Sequence, residues 1–192
     1  MPTVTVTDSQ GNACVQAVAS GGSAIWYAVN VKGGTDTVTA NFASSTGFSL
    51  IYVHEYAGLA TSSALDQVSA QTGTGTAVSS GAKTTTQANE LIFGYASVDY
   101  SVTGAGAGFT ARQTTGGNMS EDMVVASTGS YAATFTQGKS GAWVGLMATF
   151  SAAGGGPPPT LQSIAVTPAN PTIAVGGNLL AASSWRPPRP ID

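Results

Sequence analysis

The chain has 192 residues, a formal net charge of −3, 42% hydrophobic residues and only 8% charged ones. The hydrophobic content is too high for a disordered chain, and six basic residues leave no patch to neutralise phosphates, which argues against nucleic acid and anionic membrane as partners. Its apolar runs fall far short of the ~20 residues that span a bilayer as a helix, and its 25 glycines with abundant Ser and Thr set it apart from a cytoplasmic enzyme, where about a quarter of positions are charged.

Helical periodicity is hard to find, and short runs rich in Val, Ile, Thr, Phe and Tyr recur between Gly, Asn, Asp and Ser clusters, the pattern of an all-β chain. Met1-Pro2 leads straight into VTVT without the basic start or apolar stretch of a signal peptide, so the expectation is a true N-terminus upstream. Thr3 to Thr7 and Ala13 to Ala19 read as a hairpin closed by Asp8-Ser9-Gln10-Gly11-Asn12. Cys14, the only cysteine, excludes an intrachain disulfide.

Ala24 to Val31 is apolar on both alternations and predicts a strand covered on both sides, while Asp36 to Ala43 alternates with Val38, Ala40 and Phe42 inward. Phe48 to Ala57 places Phe48, Leu50, Tyr52, His54 and Tyr56 on one face and Ser49, Ile51, Val53 and Glu55 on the other, as befits the middle of a sheet. Thr61 to Gln87 has few apolar anchors and predicts weak edge strands and loops. Strong strands are expected at Glu90 to Val98, Met119 to Ser127, Tyr131 to Thr136 and Ala142 to Phe150, with a turn at Gly104 to Gly108 before Phe109 to Thr114. The whole predicts an antiparallel two-sheet β-sandwich, jelly-roll-like, with a closed barrel as the other architecture.

SAAGGGPPPT, Ser151 to Thr160, reads as a linker, because glycine gives up backbone entropy in a ladder and proline has no N–H to donate. The Gly/Pro stretch at 154–160 divides a module over 1–153, short of its first strands, from a C-terminal segment, and it predicts two parts held apart. In that segment, LQSIAVTPANPTIAVGGN over 161–178 resembles the opening of the bacterial Ig-like group 2 domain of invasin- and intimin-type proteins, and 179–192 departs from that pattern as an atypical tail. VTVTDSQGNACVQAVA, IWYAVNVKGGTDTVTANF, HEYAG and NELIFGYA resemble a β-sandwich domain of large secreted bacterial proteins. These resemblances imply a lectin-like architecture, an extracellular or cell-surface address and flanking domains of a larger chain.

Chemistry-bearing residues are sparse. His54, the only histidine, sits on the aromatic face of a central strand and reads as structural. Ser80-Gly81-Ala82-Lys83 has S-x-x-K spacing without its partner motifs, and Gly138-Lys139-Ser140 lacks the first glycine of a phosphate loop. Glu55 with Glu90 is the pair a glycosidase would need, whereas the adjacent Glu121 and Asp122 point to opposite faces of a regular strand. Asp8, Asn12, Glu121 and Asp122 are the candidate donors for a structural calcium ion, with no EF-hand spacing behind them. Tyr100 beside Asp99 is the candidate ligand site, an exposed ring for stacking on a sugar. The expectation is a non-enzymatic adhesive or spacing module without catalytic residues or cofactor. The alternative is a carbohydrate-binding module with glycans as partners, and behind it a glycosidase-like enzyme.

Overall fold

A computed structural model describes residues 4–43, 48–154, 158–166, 172–173 and 178–186. The strands are β1 (Val4–Asp8), β2 (Val15–Ser20), β3 (Ser23–Ala28), β4 (Gly34–Thr35), β5 (Val38–Phe42), β6 (Phe48–Ala57), β7 (Leu65–Ser79), β8 (Lys83–Thr84) and β9 (Glu90–Val98). They continue as β10 (Val102–Ala105), β11 (Thr110–Gln113), β12 (Met119–Val125), β13 (Ser130–Tyr131), β14 (Thr134–Ser151), β15 (Thr160–Val166), β16 (Thr172–Ile173) and β17 (Asn178–Arg186). Every strand pairing is antiparallel, and among the described residues the one helical turn is a 3-10 turn at Thr115–Gly117.

Two sheets carry most of the chain. One has the order β10-β14-β9-β12-β11, with β7 along the other edge of β14; the second has the order β15-β6-β17-β3-β2. Alternation explains how they share a core. Leu91, Phe93 and Tyr95 of β9 and Leu146, Ala148 and Phe150 of β14 meet Ile25 of β3 and Tyr52 and Tyr56 of β6 in one apolar cluster. The intervening residues Ile92, Ala96, Val98 and Met147 face the other way and pack with Val78, Val102, Ala133 and Phe135. Because both faces of β9 are covered, all nine of its residues are buried, which is why Glu90 to Val98 reads as a continuous apolar run. The outer face of the second sheet is covered in turn: Ala28, Val31, Ile51 and Val53 pack with Trp26, Val38 and Ala40 under the β1–β5 ribbon.

Several local expectations meet a different arrangement. The first strand pairs with β5, not with β2, and β2 forms its hairpin with β3 through Gly21-Gly22, both at positive φ. Thr61 to Gln87 holds β7, a 15-residue edge strand running along most of β14. Its Ser, Thr and Gly content hid it, because an edge strand with one wet face needs few apolar anchors. The parts on either side of the Gly/Pro stretch do not stand apart. β15 and β17 flank β6 on its two edges, β17 also pairs with β3, and β16 pairs with β4.

Candidate functional site

The densest polar chemistry lies between the two large sheets, where β6 faces β12. Alternation puts Tyr52, His54 and Tyr56 of β6 on the inner face, all 1% exposed or less, and brings Ser120 and Asp122 of β12 opposite them. His54 Nε2 lies 3.1 Å from Ser120 Oγ. The Tyr56 hydroxyl donates to Asp122 Oδ2 at 2.5 Å. Arg112 on β11 donates from both Nε and a terminal nitrogen to the same carboxylate, each at 2.8 Å, a bidentate pair in which the Asp122 side chain is 4% exposed. Tyr52 donates to the carbonyl of Thr115, and Asn118 bridges the Tyr95 hydroxyl and the N–H of Val98.

Serine, histidine and aspartate so close together invite comparison with a nucleophile–base–orienter set, and the geometry differs in two respects. Asp122 is held by Arg112 and Tyr56, while His54 Nδ1, where an orienting carboxylate would sit, is buried without a hydrogen-bond partner. Ser120 and His54 are both fully sealed from solvent. Burial, with the nearby Arg112 charge, pushes the imidazole pKa down to about 3, so the ring is neutral and packs edge-on to Phe93 with centroids 5.1 Å apart. The same burial, reinforced by Asp122, raises Tyr56 well above its ordinary value. Chemically the cluster is a set of polar ties across the core.

Glu121, the neighbour of Asp122, points through the opposite face of β12. Its carboxylate accepts the N–H of Gly106 at 2.8 Å and that of Thr134 at 3.2 Å. Gly94 makes this room, since a Cβ there would lie 2.5 Å from Ala133 Cβ and 3.0 Å from Glu121 Cγ. Burial lifts the Glu121 pKa to about 7 against the two N–H groups, with Asp122 adding to the rise. Beside Gly106 and Thr134 lies a groove of about 360 Å³ floored by small residues, among them Ala77, Ala105 and Ala107.

The other acidic candidates are dispersed. Asp8 closes its own turn, accepting the N–H groups of Gln10 and Asn12 and the Asn12 amide, while Asn12 Oδ1 accepts the N–H of Lys32. The four residues expected to offer calcium oxygens therefore fall at three separate places, and among the described residues no three His, Cys, Asp or Glu side chains converge. Glu55 lies against β15 and accepts the Ser163 hydroxyl at 3.2 Å. Glu90 belongs to the other sheet, where its sealed carboxyl lies beside Asp66 and the Thr149 hydroxyl and its pKa is raised by burial to about 7. The two glutamates are thus engaged by different neighbours.

Tyr100 and Asp99 do lie together at the end of β9. Tyr100 is 40% exposed, with Lys139 Nζ 5.8 Å from its ring centroid. The shelf is built by an irregularity in β14 between Thr136 and Gly141, which Gln137 fixes from within. Its amide nitrogen donates to the carbonyls of Gly75 and Gly141, its oxygen accepts the N–H of Tyr100, and Asp99 accepts the N–H of Ala142 at 2.8 Å. Sequence reasoning missed the Arg112–Asp122–Tyr56 tie and the Asp66–Glu90 neighbourhood, because both depend on which strands face each other. Comparison with protein-family models, with characterised proteins and with solved structures found no match to this chain.

Proposed function

We propose that this chain is a non-catalytic, jelly-roll-like β-sandwich module of a bacterial surface or secreted protein, acting in adhesion or as a spacer. One observation carries the reading: the side chains best suited to chemistry, His54, Ser120 and Asp122, are sealed between the sheets and spent on ties across the core. A surface poor in charge and rich in Ser, Thr and Gly supports an extracellular setting, as does the resemblance of 161–178 to the start of an Ig-like domain. The test is to incubate the folded full chain with panels of chromogenic esters and glycosides. No turnover is expected, and turnover abolished by His54→Ala in a variant that still folds would overturn the reading.

A second reading, glycan binding, is favoured by the Tyr100 shelf, where an exposed ring lies beside Lys139 and Asp99 on backbone fixed by Gln137. Retention of the full chain on one class of polysaccharide, with and without calcium, and its loss in Tyr100→Ala would establish this second reading.

A further inference from the structure

Where β7 and β9 begin and β14 ends, three adjacent strands bring polar side chains to one end of the sheet. The register between β14 and β7 slips from Ala148 opposite Val68 to Phe150 opposite Leu65, so Asp66 and Gln67 together face the single residue Thr149. Thr149 is sealed, and its Oγ accepts the N–H of Gln67 at 3.0 Å. On the other side of β14, Ser151 pairs with Glu90, the first residue of β9. Asp66 is half-buried and fixed by Thr86, whose N–H donates to Oδ2 at 2.7 Å and whose hydroxyl donates to Oδ1; the Gln67 amide adds a long bond to Oδ1 at 3.4 Å. Burial opposes ionisation of Asp66, and the bonds from Thr86 override it and hold the carboxyl below its usual range.

Glu90 is the member of this set that nothing ties. It is 0% exposed, and neither carboxyl oxygen has a hydrogen-bond partner. The Asp66 carboxyl, the Thr149 hydroxyl and the N–H of Gln87 lie around it. Among the described residues no basic side chain pairs with either carboxyl, in contrast with Asp122, which Arg112 grips from two nitrogens. Two carboxyls facing each other without a base are costly to enclose unless positive charge enters between them. The side-chain donors there are hard oxygens, with no imidazole nitrogen or thiolate sulfur, and two carboxylates carry the charge that one divalent ion neutralises. Spacing set by a bulge suits calcium, which accepts roughly six to eight oxygens in a flexible arrangement, better than magnesium with its strict octahedron. Water can complete the shell from the open side of Asp66.

We propose that Asp66, Thr149 and Glu90 bind one calcium ion at the end of β14, tying the starts of β7 and β9 together and, through Thr86, holding the connection between β8 and β9. This site shares no residue with the calcium donors expected from the sequence or with the Tyr100 shelf, so neither reading of function depends on it.

The experiment uses the full chain, stripped with a chelator, held at about pH 8 so that carboxyls are ionised, titrated with calcium chloride in a calorimeter and melted with and without the ion. One ion per chain is expected, with a rise in melting temperature of about 5 °C or more once free calcium reaches about a hundred times its dissociation constant. Glu90→Gln and Asp66→Asn keep the shape and lose the charge, and each should weaken binding by about tenfold or more, whereas Glu121→Gln should bind as the unmodified chain does. Circular dichroism shows whether each variant folds; should Glu90→Gln not fold, the half-buried position decides through Asp66→Asn. No heat of binding and no shift of the melt would overturn the proposal and leave a proton shared between the two carboxyls in the ion's place. Binding unchanged in folded Asp66→Asn, or lost in folded Glu121→Gln, would put the ion elsewhere and overturn it as well.

Discussion

The Asp122 carboxylate shows how a single buried charge organises its surroundings. Arg112 supplies both hydrogen bonds of a fork and Tyr56 a third, so removing the guanidinium would strand an ionised group that is almost wholly enclosed. Arg112→Ala should therefore destabilise by about 3 kcal/mol and Tyr56→Phe by about 1 kcal/mol, read from urea unfolding. Equal, small effects would mean that the pair is solvated. The sealed titratable groups also set a pH dependence. His54 takes a proton near 6.5 when unfolded and only at about 3 when folded, so its contribution is lost as pH falls through that interval. Glu121 works oppositely: its folded pKa of about 7 lies above the ordinary 4.5, so its contribution is full below 4.5 and lost as pH rises through 7. Glu90, also raised to about 7, adds in the same direction. Two carboxyls outweigh one imidazole where the intervals overlap, so stability should peak at about pH 4.5 and decline towards about pH 7.5. Glu121→Gln, which cannot ionise, should remove most of that decline, because His54 then offsets Glu90 up to the ordinary imidazole value; an unchanged slope would show that Glu121 does not carry it.

At the scale of elements, the long strand β14 joins β7, β9 and β10 into one sheet, and two of its residues make that geometry possible. Gln137 is 1% exposed and satisfies three backbone groups around the irregularity beneath Tyr100. Gly145 passes so close to the end of β7 that a Cβ would lie 2.7 Å from the Ser79 carbonyl carbon and oxygen. Backbone cannot give way as a side-chain tip can, so Gly145→Ala should cost about 2 kcal/mol in thermal or urea unfolding. A neutral substitution would show that β7 and β14 can separate there. These elements also mark what the sequence discloses. The bounds of Phe48 to Ala57 and of Glu90 to Val98 were legible because each is a dense apolar run ended by turn residues. Pairing was not: Val4–Asp8 alternates equally well for β2 or β5, and only the apolar patch of Val31, Ile51 and Val53 that needs covering decides for β5. The burial of His54 could be read from its aromatic face, whereas its meeting with Ser120 required the facing of two sheets that local pattern does not encode.

For the molecule as a whole, the question is where its cooperative unit ends. Composition marks 154–160 as a connection, and nothing local indicates that the segment beyond it supplies a strand to the middle of an earlier sheet. The two views differ in a measurable way. If the part beyond the connection were an appendage, weakening it would leave the main unfolding transition untouched. With β17 bridging β3 and β6, a proline at Ala182 removes a ladder donor from an interior strand and should carry the whole molecule with it. Ala182→Pro is accordingly expected to lower the stability of the main transition by about 3 kcal/mol or more, with Tyr and Trp fluorescence and circular dichroism moving together in urea. A main transition at the unmodified midpoint, with at most a small separate change at lower urea, would place the unit's boundary before Thr160 and remove β17 from the core sheet.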